Sequence, residues 1–127
     1  MRIPKTFSIL FACSIFILSV TQANAKFVSA KILADLAREY DKFEAKNDDA
    51  SINKIKLQNY YGYIAGVYDA TESMFDSPEN ITLRQVSAIV AKYVKAHRER
   101  WTDDSAAIIV IDALKEAFPI KNTRSQR

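Results

Sequence analysis

Cysteine and histidine occur once each in this chain, as Cys13 and His97. Nucleophilic catalysis and zinc coordination both need several such groups converging on one point, so the inventory argues against either chemistry. Glycine is nearly as scarce, with only Gly62 and Gly66, and proline is limited to Pro4, Pro78 and Pro119. Both glycines fall in a stretch that otherwise reads as an amphipathic helix, so the loops use none. Dense runs of one charge are also missing. The formal net charge is +3 and the pI about 9.0, but no Lys/Arg stripe with interleaved aromatics marks a nucleic-acid surface.

The apolar residues concentrate first at the N-terminus. Arg2 and Lys5 precede a run from Phe7 to Val20, and Ala23-Asn24-Ala25 supplies the small residues of a cleavage site. Residues 1–25 therefore read as a signal peptide cut after Ala25, which predicts a periplasmic product. A permanent anchor needs about 20 apolar residues, more than this run provides. Leu10-Phe11-Ala12-Cys13 resembles a lipoprotein site, but cutting there would leave the apolar stub Ser14-Ile15-Phe16-Ile17-Leu18, so lipidation is the weaker reading. Removal of the leader takes Arg2, Lys5 and Cys13 with it. Sixteen basic residues then face fifteen acidic ones, a net charge of +1, with no thiol and no disulfide. The remaining 102 residues suffice for one modest core, and a domain that small without cross-links gains stability by associating.

Beyond residue 25 the apolar spacing is helical, predicting an all-α fold, a compact bundle of four main helices over 26–120 with a flexible basic tail at 121–127. Phe27, Ile32, Leu33, Leu36, Tyr40 and Phe43 outline a first helix near 28–45. After Lys46-Asn47-Asp48-Asp49, a cap at Asp49 or Ser51 starts a second, with Ile52, Leu57, Tyr61, Ile64, Tyr68, Thr71 and Phe75 on one side. Ser77-Pro78-Glu79-Asn80 is a turn, and Thr82-Leu83-Arg84-Gln85 is a capping box opening a third helix. Its stripe is Leu83, Val86, Val90, Tyr93, Val94 and His97. Thr102 or Asp103 caps a fourth helix whose body, Ala106 to Ile111, is apolar on nearly every side and is expected to lie centrally. Pro119 ends it.

Gly62 and Gly66 lie one turn apart inside the second helix. Each costs about 1 kcal/mol relative to alanine there, which asks for a close backbone approach, either in internal packing or toward a partner chain. Tyr60, Tyr61 and Tyr63 point to different sides of the same helix, so at least one reaches solvent or a dimer interface. His97 reads as a histidine partly buried at a helix end, and Asp69 as a surface or capping acid. Two loops are the binding candidates. His97 to Asp104 carries the sole tryptophan beside charged residues, a composition enriched in interface hot spots, so Arg100, Trp101 and Asp103 are candidate contacts. Alternatively Trp101 folds back to close the third and fourth helices. In the Phe75–Asn80 turn, Asp76 and Glu79 can meet basic groups of a partner.

These pieces resemble a known family in their order and spacing. Gly62-Tyr63-Ile64 with Gly66 and Asp69, Phe75-Asp76-Ser77-Pro78 leading to Ile81-Thr82 and Gln85, Tyr93 with His97, and Ala113-Leu114 with Ala117-Phe118-Pro119 are similar to the Tai family of type VI secretion amidase immunity proteins, together with the related Rap-type resistance proteins. The family usually has a cysteine pair at the positions of Asp76 and Ile120, and both halves are absent here. The resemblance implies an all-helical periplasmic homodimer that binds a secreted cysteine-histidine peptidoglycan amidase and occludes its active site. It implies no catalytic residue, no cofactor, no metal, no nucleic acid and no membrane contact after leader removal. The rival reading is an exported binding or adaptor module of the same fold serving another protein; a small hydrolase is least favoured.

Overall fold

Four short polar side chains start the four helices. In the computed structural model, which describes residues 27–45 and 49–121, α1 spans Ala30–Glu44, α2 Lys54–Thr71, α3 Leu83–Ala96 and α4 Ala106–Ala117. Ser29, Asn53, Thr82 and Ser105 each accept a hydrogen bond from the backbone N–H three residues on, at 3.3, 3.1, 3.2 and 3.4 Å. Each such cap is worth about 1 kcal/mol. At Thr82 the cap is reciprocal, because the Gln85 side chain accepts from the Thr82 N–H at 2.9 Å. Short 3₁₀ turns at Asp49–Ser51, Glu72–Met74 and Arg98–Arg100 fill the connections.

No strand occurs among the described residues; a single antiparallel bridge joins Ser29 to Ser105. Through it the Ala30 N–H donates to the Asp104 carbonyl at 3.0 Å and the Ala106 N–H to the Val28 carbonyl at 2.9 Å. Two helix starts are thereby stitched side by side, each satisfying a donor of the other that no helix could satisfy alone.

The core forms where all four helices meet. Leu33, Ala34, Ala37 and Tyr40 from α1 face Tyr60 and Ile64 from α2, Val86, Val90 and Val94 from α3, and Ile109, Val110 and Leu114 from α4. Tyr60 is fully buried, and its hydroxyl donates to the Ser87 carbonyl at 2.8 Å, so a large ring enters the core without orphaning its polar end. Glu39 is the buried acid. Its carboxylate accepts from the Asn53 N–H and from Lys42 Nζ, both at 2.9 Å, which clips the start of α2 onto α1. The Asn53 N–H, and then Lys42, hold the Glu39 carboxyl below its ordinary pKa.

Several expectations are corrected. The second helix is capped by Asn53, not Asp49 or Ser51, and ends at Thr71, with Phe75 reaching the core from an extended segment. The fourth helix is capped by Ser105, because Asp104 is drawn into the stitch with Ala30 and the helix starts after it. Phe27, Ile32, Phe43, Leu83 and Ile108 are exposed, so α4 has a wet side, and α1 buries Ala30, Ala34 and Ala37 beside Leu33 and Tyr40 while Ile32 and Phe43 stay outside. Alanine lets neighbouring helices approach closely, which suits a bundle of short helices better than a row of bulky groups. The glycines differ most. A Cβ placed on Gly62 or Gly66 would meet nothing within 4 Å among the described residues, so no close approach between them explains the glycines. The leader, Asp48 and residues 122–127 fall outside the described residues. No described helix is long and apolar enough to cross a membrane.

Candidate functional interface

The two loops singled out from the sequence lie at opposite ends of α3, and one residue joins them. Ile89, midway along that helix, lines a hollow of about 460 Å³ with Pro78, Ile81, Ala88 and Phe118, and a second of about 260 Å³ with Tyr93, Ala96, His97, Ala113 and Ala117. The turn before α3 and the loop after it therefore border one continuous, largely apolar face of α3 and α4. Lys92 and Glu116 stand on the second hollow and supply charge of both signs.

The turn at 75–82 is pinned from four directions. Phe75 is buried and its ring centroid lies 5.3 Å from that of Tyr68. The Tyr68 and Ser77 hydroxyls are hydrogen-bonded to each other. The Ile81 N–H donates to the Pro78 carbonyl at 3.2 Å, closing the turn. Asp76 ties it to the chain's other end: its N–H donates to the Phe118 carbonyl at 3.0 Å, and its carboxylate accepts from the Lys121 N–H at 2.7 Å. Glu79, by contrast, is exposed and makes no hydrogen bond or ion pair among the described residues.

The loop from His97 to Asp104 is equally fixed. His97 ends α3, its ring 4.1 Å from that of Tyr93 and its Nδ1 3.1 Å from a Glu99 carboxylate oxygen. Successive backbone bonds follow: Arg100 N–H to the His97 carbonyl, Trp101 N–H to Arg98, and Asp104 N–H to Arg100, at 3.1, 3.2 and 3.1 Å. Trp101 folds back. Its indole N–H donates to the Val94 carbonyl at 2.9 Å and its ring packs on the core, while the Arg98 guanidinium lies 5.6 Å from the ring centroid. Arg100 turns inward as well, pairing with Asp104, with Asp112 at 2.7 Å and with the Tyr93 hydroxyl at 2.8 Å. The carboxylates, Asp112 first, push the Arg100 pKa further upward, so its charge is fixed at any working pH. Thr102 and Asp103 remain exposed, and Asp103 makes no ion pair or hydrogen bond among the described residues.

The candidate contacts thus separate by environment. Asp103 and Glu79 face solvent with open hydrogen-bonding capacity, whereas Arg100, Trp101 and Asp76 are engaged with the scaffold. Sequence reasoning missed Ile89 as the link between the loops, since one isoleucine in an apolar stripe carries no sign that it borders two hollows. Elsewhere, Tyr61 meets Tyr40 edge-on at 5.9 Å, and Tyr63, Gly62 and Gly66 line a groove between α2 and α4 with Ala107 and Ile111. Among the described residues no cluster of three His, Cys, Asp or Glu side chains is placed to hold a metal ion.

A small helical bundle with two hydrogen-bonded loops flanking an apolar face offers a surface that a binding protein can use, and a family match gives that surface a role. Residues 30–120 match the family model of the Rap1a immunity proteins, and the chain belongs to that family. The match lies on the Rap side of the resemblance and makes the protein an immunity protein, with a cognate effector as its partner. No curated protein matches the chain.

Proposed function

We propose that the protein is a periplasmic immunity protein that binds a type VI peptidoglycan amidase and occludes its active site, as in the Tai branch of these families. The observation that carries this reading is the pairing of family membership with two pre-ordered loops beside an open apolar face. Occlusion needs shape and little else. A loop already held by scaffold hydrogen bonds has little entropy left to lose on docking, and the hollows around Ile89 accept apolar side chains from the enzyme. The inhibitor itself performs no chemistry and takes no cofactor. Residues 1–25 act as the export leader in this reading. Pairing of two copies uses the α2 side that carries Gly62, Gly66 and Tyr63, where nothing among the described residues accounts for glycine.

The test is co-purification of the mature protein, residues 26–127, with exported cysteine-histidine amidases encoded beside its gene, scored by hydrolysis of purified peptidoglycan. One amidase should be retained and silenced at equimolar inhibitor. Asp103→Ala or Ile89→Asp should each weaken binding by more than about 1 kcal/mol. Retention of an unrelated protein, with every neighbouring amidase left active, would favour the adaptor reading.

A further inference from the structure

The sequence marks Arg100 as a contact, yet its guanidinium is spent inside the molecule. Nε and Nη2 bond the carboxylates of Asp104 and Asp112, and Nη1 bonds the Tyr93 hydroxyl. These partners belong to three different pieces of the fold. Tyr93 is on α3, Asp104 is the last residue of the loop, and Asp112 is in the middle of α4. One planar fork therefore fixes the loop against both helices that border the proposed docking face. The same Asp104 passes its carbonyl to Ala30 and its N–H to Arg100, so the loop's far end is held in backbone and side chain together.

We infer that Arg100 is a positioning residue for effector recognition: it holds the 97–104 loop in a preformed shape that aims Thr102 and Asp103 outward at the partner, and it does not touch the partner itself. The inference rests on the docking reading above and refines it by dividing the loop into a strut and a contact edge. The chemistry favours this division. Arginine presents donors in a fixed planar geometry that matches two carboxylates and a hydroxyl at once, whereas a partner would have to break three charge-assisted bonds to recruit it. Without the fork, Asp104 and Asp112 would be left as neighbouring acids with no shared cation, and their repulsion would open the loop. Asp103, exposed and unpaired among the described residues, is the group free to accept from a cationic or N–H donor on the partner.

The experiment combines hydrogen exchange with a double-mutant cycle. Arg100→Met should speed amide exchange at residues 98–104 by tenfold or more while α1 and α2 keep wild-type protection. Arg100→Lys, which keeps the charge without the fork, should give an intermediate rate. Against the amidase retained in the preceding test, Arg100→Met should weaken binding at least tenfold, and Asp103→Ala should then add far less than it does in the wild-type background. Such coupling is the signature of a strut acting through Asp103, since simple destabilisation would leave the two effects additive. Wild-type exchange in Arg100→Met, or an undiminished Asp103→Ala effect beside it, would overturn the inference. Should no amidase be retained, the functional reading falls, and the exchange measurement still decides whether Arg100 sets the loop. If Arg100→Met does not fold, Asp112→Ala removes one leg of the fork from the helix side and must loosen the same residues.

Discussion

The Asp76 carboxylate accepts a hydrogen bond from the backbone N–H of Lys121 at 2.7 Å, joining the turn before α3 to the segment after α4. With the Asp76 N–H on the Phe118 carbonyl, this makes a two-bond latch at the place where the family resemblance expects a cysteine pair. A carboxylate latch is weaker than a covalent one but survives reducing conditions.

Asp76→Ala should lower unfolding stability by about 1–2 kcal/mol, the lower part of the range of about 1.5–3 kcal/mol for a hydrogen bond to a charged group and a little beneath it, because the site is exposed. Asp76→Asn, whose amide oxygen still accepts, should recover at least half of it. Urea denaturation of the mature protein reads both.

The open surroundings of Gly62 and Gly66 predict a gain from alanine. Each Cβ would enter free space, so Gly62→Ala and Gly66→Ala should stabilise the monomer by about 0.5–1 kcal/mol apiece through helix propensity and a stiffer unfolded chain. If two copies pair through this face, the gain should shrink as protein concentration rises. Melting curves at low and high concentration separate the two contributions.

Alkaline unfolding should be governed by Tyr60. Burial, its largest influence, raises its pKa well above the ordinary 10.0. The neutral phenol is thus favoured in the folded state, and its contribution is complete below pH 10 and drains away as pH climbs toward the folded value. The loss from this residue approaches about 1.4 kcal/mol per pH unit. Tyr60→Phe should be less stable near neutrality by about 1 kcal/mol, having lost the bond to Ser87, yet should decline less steeply above pH 10. Denaturation midpoints from pH 7 to 11 test the crossover in slope.

Glu39 predicts the opposite behaviour in acid. Its folded pKa lies below the ordinary 4.5, chiefly through the Asn53 N–H, so its stabilisation is present above that value and is lost as pH falls through the folded one. Glu39→Gln should be less stable at pH 7, and the gap to wild type should narrow on acidification below pH 4.5. Circular dichroism at fixed urea across pH 2.5–7 measures it.

What the sequence disclosed was local. The capping box at Thr82 and Gln85 is readable because all its partners lie within three residues, and the Ser77-Pro78 turn is readable for the same reason. The start of α4 is not legible because Thr102 and Asp103 are both competent caps and come first; only the carbonyl of Asp104 reaching Ala30 moves the cap to Ser105. The stripe of α1 is legible at Leu33, Leu36 and Tyr40 but not at its edges, where Ile32 and Phe43 stay exposed and Ala30, Ala34 and Ala37 complete the buried face. Both candidate loops were located from turn chemistry. Which of their side chains turn inward was not visible, since Arg100 finds its partners on helices before and after it, and tryptophan composition alone says nothing of the Val94 carbonyl.

The stitch between Ser29 and Ser105 imposes an order on assembly. A chain emerging N-terminus first brings out its opening helix early, but the Ala30 N–H at that helix's start lacks its protein acceptor until Asp104 arrives. Completion of the first element therefore waits for the last, and a product shortened at its C-terminus before Asp104 would be frayed at both ends at once.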